Sequence, residues 1–164
     1  MAHRGIVIKT FIILLALGLG VFLLLNYLGK PKLTDKTPSF EARLLTGSSV
    51  SLEQYRGKPL LVYFWSTWCP TCKYQSPVID ALSREYQVLT VCVYSGTDRQ
   101  IREYLDKTGY TFDVINDYDN TVRRTFSVKA LPTLFVLDEN GKIIFSEVGM
   151  TTGMGLRLRM KLAN

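Results

Sequence analysis

The sequence predicts an α/β fold with a mixed central sheet flanked by helices. Two observations predict this class. From about residue 60 to residue 126, short apolar runs rich in β-formers alternate with stretches of helical periodicity. A strand, a turn, a second strand and a last helical stretch follow. Alternating strands and helices build a parallel sheet with helices on its faces, and the closing hairpin adds antiparallel strands.

The folded domain begins near Phe40 with a predicted hairpin and a central strand. Phe40–Leu44 and Ser49–Leu52 flank the turn residues 46–48, and one helical turn follows over residues 52–57. Leu60–Trp65 is a continuous apolar run, which is typical of a strand that is covered on both faces.

Helices and strands then alternate up to the closing hairpin. Apolar residues at helical spacing predict a helix over Cys72–Tyr86, with a kink at Pro77. The other predicted elements are a buried strand at Val88–Val93, a helix at Arg99–Thr108, an extended piece at Phe112–Ile115, a helix at Asn120–Phe126, strands at Thr133–Leu137 and Lys142–Phe145 joined by a turn, and a helix at Met154–Leu162.

A single transmembrane helix is predicted ahead of this domain. No charged residue lies within the predicted span, residues 10–29, and residues 11–25 are all apolar or glycine. About 20 such residues are enough to cross the hydrocarbon core of a bilayer. A cleaved signal peptide would have a shorter apolar segment and a small-x-small site, where this sequence has the bulky Tyr27. We therefore predict a cytoplasmic head (1–9), an anchor (10–29), a linker (30–39) and a folded domain (40–164).

Local charge does not decide the direction of insertion, because basic residues flank both ends of the predicted span. The short head and the long following domain favour a cytoplasmic head and an extracytoplasmic domain.

The formal charge of +6 comes mostly from the N-terminal part of the chain. Residues 1–39 contain five basic and one acidic residue, which leaves fifteen basic and thirteen acidic residues in the rest. The basic cluster Arg157, Arg159 and Lys161 is interpreted as a solvated helix face, because short charge clusters usually keep a surface wet. No nucleic-acid partner is predicted.

Cys69 and Cys72 lie where the buried strand meets the next helix, in the segment Trp68-Cys69-Pro70-Thr71-Cys72. A helix N-terminus offers free N–H groups and a partial positive charge, which stabilise a thiolate at Cys69. Only a thiolate attacks a disulfide, and Cys72 is close enough to resolve a mixed disulfide. The pair therefore predicts thiol-disulfide chemistry.

Two structural interpretations of the pair compete with this one. A zinc site would need two further ligands, and the sequence offers only Cys92 and His3. A purely structural disulfide that closes so small a loop would constrain the unfolded chain very little. Neither a metal nor a cofactor is predicted.

The stretch Tyr63–Lys73, with Pro77 five residues after the second Cys, resembles the active site of the thioredoxin superfamily. The segment from Ala130 to Thr133 matches the loop whose proline is cis in that family and lies against the cysteines. Gly149 matches a glycine after the last strand. The resemblance covers roughly residues 40–162 and implies a thioredoxin-like fold.

The anchor, the Gly57-Lys58-Pro59 entry to the strand and the extra stretch from Asp98 to Asp119 resemble one branch of that superfamily. These are the membrane-tethered, extracytoplasmic proteins of bacteria of the TlpA/ResA type and the related suppressor-of-copper-sensitivity disulfide oxidoreductases. The resemblance implies a single-pass protein of the bacterial inner membrane with its domain in the periplasm. It also implies protein substrates bearing disulfides or thiols, and a membrane electron donor that re-reduces the cysteines.

Residue by residue, the resemblance makes Cys69 the nucleophile and Cys72 the resolving thiol. The residues that would contact a substrate are Trp68, Pro70, Thr71, Leu131 and Pro132, with the backbone at Leu131 pairing with a substrate strand. Trp65 fits either this rim or the core.

The sequence departs from thioredoxin at two buried positions. Thioredoxin has an acid and a lysine where this chain has Tyr63 and Val93. Because the acid and the lysine are both absent, no buried charge is left without its partner, but the usual proton acceptor for Cys72 is absent as well. Water, a substrate group or the Tyr63 hydroxyl remain as candidate acceptors.

Two further features are given structural interpretations. Cys92, in an apolar strand, is expected to behave as a small hydrophobe. The acidic segment from Asp117 to Asn120 is expected to cap a helix rather than bind a cation.

The direction of electron flow is left open by the sequence, although reduction of disulfides is the leading hypothesis. Disulfide formation or isomerisation would use the same pair. A copper-delivery protein of this fold would add a His and space its cysteines one residue wider. A peroxide-reducing protein would carry a Pro-x-x-x-Thr-x-x-Cys pattern, which the sequence lacks.

Overall fold

The computed structural model describes Lys9, residues 12–21, Leu24 and residues 38–163. The chain divides into two units, residues 1–30 and 31–164. In the first unit, residues 12–21 are helical. Among the described residues, no helix combines the length and the apolarity of a membrane span. Parts of three predicted segments lie outside the described residues. These are the head except Lys9, residues 10, 11, 22, 23 and 25–29 of the anchor, and the linker up to residue 37.

The second unit is built around a five-stranded mixed sheet, which confirms the predicted fold class. Its strands are β3 (Leu60–Trp65), β4 (Gln87–Cys92), β5 (Val114–Asn116), β6 (Thr133–Leu137) and β7 (Ile143–Val148), and their spatial order is β5-β4-β3-β6-β7. Strands β3, β4 and β5 are parallel, whereas β6 and β7 are antiparallel to their neighbours. A separate hairpin pairs β1 (Glu41–Arg43) with β2 (Ser49–Ser51).

Within residues 38–163, four α-helices and one 3-10 helix accompany the strands. They are the 3-10 helix Leu52–Tyr55, α1 (Pro70–Ser83), α2 (Asp98–Thr108), α3 (Thr121–Thr125) and α4 (Gly153–Leu162). Helix α2 is delimited by its sequence: Thr97 and Gln100 form a capping box at its start, and Gly109 ends it in the left-handed conformation that suits glycine.

The alternating side chains of β3 separate two apolar cores, so the central strand is covered on both faces as predicted. Leu61, Tyr63 and Trp65 pack on the side of α1, α2 and α4. The intervening residues of β3 pack on the side of the β1–β2 hairpin, the 3-10 helix and α3. Every residue of β3 is buried.

Some element ends differ from the prediction for local reasons. Helix α1 begins at Pro70, because proline fits the first helical position, where its missing N–H is not needed. Pro77 lies inside this helix. The acidic segment from Asp117 to Asn120 caps the start of α3, as predicted. The Asp117 carboxylate accepts from Val122 N and Arg123 N. Asp119 Oδ1 accepts from Thr121 N, whereas the Asn120 side chain makes no capping bond.

Candidate active site

The Cys69–Cys72 pair lies at the carboxyl end of the central strand, where the chain enters α1. Cys69 is the N-cap residue of α1, and the two cysteines form a disulfide with their Cα atoms 5.2 Å apart. The backbone N–H of Cys72 donates to Cys69 Sγ over 3.2 Å. Only 4% of Cys69 and 1% of Cys72 are exposed. A peptide N–H at the helix start therefore meets the outer sulfur, as the sequence predicts.

The turn after β4 holds the loop that carries the cysteines. The Ser66 hydroxyl donates to the carbonyl of Val93, and Thr67 N donates to Ser95 Oγ over 3.0 Å. The indole of Trp68 donates to the Tyr94 carbonyl over 2.8 Å. These contacts fix the three residues before Cys69 against the turn that follows β4.

The loop between α3 and β6 reaches the same end of the sheet. Thr133 pairs with Phe64 near the end of β3, so the preceding Leu131-Pro132 bond, which is cis, lies beside the cysteine loop. The Pro132 carbonyl accepts from Gly149 N over 2.8 Å, and Gly149 has a positive φ of 95°. The Leu131 side chain is half-buried and packs against both cores.

Gln75 connects α1 to the segment before α4. Its Oε1 accepts from Thr151 N over 2.7 Å, and its side chain is buried. Its Nε2 has no hydrogen-bond partner among the described residues. The amide thus ties the helix that carries Cys72 to the chain that enters α4.

Behind the disulfide, the hydroxyls of Tyr63 and Ser76 lie close together, and Tyr63 stands at the position of the buried acid of thioredoxin. Tyr63 Oη lies 3.1 Å from Ser76 Oγ and donates to the Cys72 carbonyl over 3.4 Å. Because Tyr63 has one proton to donate, Ser76 is the donor in the first contact. Burial raises the pKa of Tyr63 well above its ordinary value, although the Ser76 contact opposes this. Val93, at the other departure from thioredoxin, is buried and offers only its backbone.

The two tryptophans have different environments. Trp65 is buried, donates to Thr90 Oγ1 over 3.2 Å and stacks on Tyr63, so it belongs to the core. Trp68 is 59% exposed beside Cys69. Pro70 and Thr71 are also exposed, and Pro132 is buried. Of the five predicted substrate contacts, the structure therefore presents Trp68, Pro70 and Thr71 to solvent and Leu131 partly.

Cys92 is buried in β4 and unpaired. Burial raises the pKa of its thiol to about 12, against the opposing contacts of Ser95 and Thr67. Its environment is that of a small hydrophobe, as predicted. Within the described part of the chain, no three His, Cys, Asp or Glu side chains are grouped so as to hold a metal ion.

Sequence reasoning missed several residues that shape this site. Tyr94 and Ser95 hold the cysteine loop, and the Arg123 guanidinium lies over the Tyr94 ring at 5.3 Å. The Ser95-Gly96 pair indicates a turn, but nothing local shows what that turn contacts. Gln75 had a usable signal, because residues three apart on a helix share a face with Cys72.

Comparisons with known proteins agree with this geometry. The AhpC/TSA family matches residues 33–146. The chain is 33% identical over 159 residues to a thioredoxin-like protein of Haemophilus influenzae, covering 92% of this chain and 95% of that one. It is 32% identical over 154 residues to the thiol-disulfide oxidoreductase ResA of Geobacillus thermodenitrificans, covering 86% of each. The solved structure of MTB dsbF superposes with a TM-score of 0.69 at 26% identity, over 81% of this chain and all of dsbF.

Proposed function

We propose that this thiol-disulfide oxidoreductase reduces disulfides of proteins outside the cytoplasm. The chain belongs to the AhpC/TSA family. The observation that carries the direction is the environment of the two sulfurs. Both cysteines belong to the apolar core cluster, and one peptide N–H donates to Cys69 Sγ. Pro70 supplies no N–H. Apolar burial of the two sulfurs disfavours a thiolate and so favours the disulfide over the dithiol, which makes the reduced protein a reductant; it opposes the stabilisation that the helix N-terminus gives Cys69.

The proposed reaction uses both cysteines in turn. The Cys69 thiolate attacks a substrate disulfide, forms a mixed disulfide and releases one substrate thiolate. Cys72, as a thiolate, then attacks Cys69 Sγ and releases the second substrate sulfur. The products are two substrate thiols and the Cys69–Cys72 disulfide. The exposed Trp68, Pro70 and Thr71, with Leu131 and Pro132 beside them, form the proposed substrate surface.

The proposed location is the periplasmic face of a bacterial inner membrane. The apolar and uncharged sequence of residues 10–29 supports an anchor, because about 20 such residues cross the hydrocarbon core of a bilayer. In that compartment the oxidised pair would be re-reduced by a membrane electron donor.

The reduction potential of residues 31–164, measured against glutathione and dithiothreitol, tests the direction. We expect a value in the range of thioredoxin and glutaredoxin, roughly −200 to −270 mV. A value near the −120 mV or so of a strong oxidant would contradict the proposal.

Substrate trapping tests the roles of the two sulfurs. Cys72→Ala leaves Cys69 without its resolving partner, so mixed disulfides with substrate proteins should accumulate. Cys69→Ala is the matched control and should trap none. Cys92→Ala, which changes a buried thiol outside the pair, should leave disulfide reduction intact. Equal trapping by both cysteine variants of the pair would contradict the assignment.

A further inference from the structure

Helix α4 has a second apolar face that the domain does not cover. Its inner face buries Leu156 and Met160. On the opposite side Met154, Leu158 and Leu162 are 83%, 59% and 65% exposed. At about 100° per residue, these three side chains lie within an arc of roughly 80° on the helix surface. We call these three residues the α4 stripe.

Cations flank the α4 stripe on both sides. Helical geometry places Arg157 and Lys161 along one edge and Arg159 along the other. Residues 149–163 contain no Asp or Glu. Arg157 pairs with Glu85 at 2.5 Å, and Arg159 with Glu147 at 3.3 Å, so these two arginines are held in position by neighbouring elements rather than extended into solvent.

A cationic groove lies at the C-terminal end of the same helix. It has a volume of about 630 Å³, and Lys58, Arg84 and Lys161 are among its lining residues. Arg84 also bonds Asp80, and Glu85, which lines the groove too, is in the ion pair with α4. Guanidinium and ammonium groups that line one groove suit a phosphate.

We propose that the α4 stripe and this groove bind the anionic phospholipid surface of a membrane. An exposed apolar stripe with basic residues along both edges is the pattern of a helix that lies in a membrane interface. A second copy of the chain fits this face less well. A two-fold interface sets a patch against itself, which would bring the basic edges of two α4 helices together.

The proposal gives the active site a position at the membrane, and in this respect it rests on the proposed function. The start of α4 is tied to α1 through the hydrogen bond from Thr151 N to Gln75 Oε1. A docked α4 therefore lies along the lipid surface with its first turn next to the cysteine half of α1 and the groove at the opposite end of that helix.

Flotation of residues 31–164 with lipid vesicles tests the surface. Both apolar cores lie within residues 40–163, so this part folds without the N-terminal unit. We expect it to bind vesicles of equal parts phosphatidylcholine and phosphatidylglycerol, to bind less to phosphatidylcholine alone, and to be released by salt. Lys161→Gln should weaken binding about five-fold, since one cation at an anionic surface contributes about that factor. Leu158→Gln should weaken it by a similar factor.

Matched controls are the exposed Lys107→Gln on α2 and the exposed Tyr118→Gln, neither of which should change binding. Retained disulfide reduction shows that each variant is folded. Equal binding to both vesicles, no binding, or the same loss in a control variant would overturn the proposal. Two further results would overturn it. If the domain self-associated and Leu158→Gln abolished this, the α4 stripe would belong to a contact with a second copy. If the domain bound an acidic protein but no vesicle, the partner would not be a membrane. The full chain, floated in parallel, tests the anchor separately, because an anchored chain floats with both vesicles whatever α4 does.

Discussion

Tyr63→Phe isolates what the hydroxyl behind the disulfide contributes to stability. The ring stays in place against Trp65, so only the hydroxyl contacts are lost. The variant removes the bond to the Cys72 carbonyl and leaves the fully buried Ser76 hydroxyl without its partner. A lost hydrogen bond costs about 1 kcal/mol, and an unsatisfied buried hydroxyl adds about another 1 kcal/mol or more. We expect a loss of about 2 kcal/mol.

Thermal and urea unfolding of the oxidised protein measure this loss. For a domain of this size, about 2 kcal/mol lowers Tm by about 8 °C. The control is the double variant Tyr63→Phe/Ser76→Ala, in which neither hydroxyl remains. It should recover much of the loss, because removing both partners is nearly neutral. Ser76→Ala alone completes the comparison. If the losses of Tyr63→Phe and Ser76→Ala simply add in the double variant, or if Tyr63→Phe costs less than about 0.5 kcal/mol, the two hydroxyls do not act as one buried pair.

Three further predictions concern other parts of the domain. Because the pKa of Cys92 rises to about 12 on folding, the unfolded chain releases this proton first, so stability should fall as pH rises from 9. Cys92→Ala should flatten that fall between pH 9 and 10, by up to about 1.4 kcal/mol per pH unit, in urea titrations. Asp117→Ala should cost about 1–2 kcal/mol in the same assay, since Val122 N and Arg123 N lose their acceptor, whereas Asp117→Asn should cost less. Trp68→Ala should slow the reduction of protein disulfides but not of a small aromatic disulfide. It should change the free energy of unfolding by less than about 1 kcal/mol. If the reduction of both kinds of disulfide slowed equally, Trp68 would not act as a rim that contacts protein substrates.

Features that depend on local pattern could be predicted from the sequence. Leu60–Trp65 was predicted as a doubly covered strand because a continuous apolar run with β-formers has few other solutions. Cys69 was placed at a helix start because a strand run ends just before it and helical spacing follows. The fold class followed from the order of such elements.

Features that depend on contacts between distant residues could not be predicted. The sequence did not decide whether Trp65 belongs to the substrate rim or to the core. In a strand that is buried on both faces, the alternation of side chains shows which face a residue lies on but not which residues it contacts. Its partner Thr90 is 25 residues away. The bond between Gln75 and Thr151 spans 76 residues, and the bond between Trp68 and Tyr94 spans 26. The interpretation of Arg157 as a solvated charge missed its ion pair with Glu85 for the same reason.

The geometry around Tyr63 narrows one question that the sequence left open, which is the acceptor for the Cys72 proton. A tyrosine accepts a thiol proton as tyrosinate, and burial keeps Tyr63 protonated far above neutral pH. Its oxygen also accepts from Ser76, and its own proton points to the Cys72 carbonyl. A neutral hydroxyl held in this chain is a positioning group and not a base. Of the three candidates, water and the departing substrate thiolate remain. The substrate thiolate is the better acceptor, because a proton moves most readily between sulfurs of similar pKa. This thiolate is also released beside Cys69 at the step in which Cys72 must lose its proton.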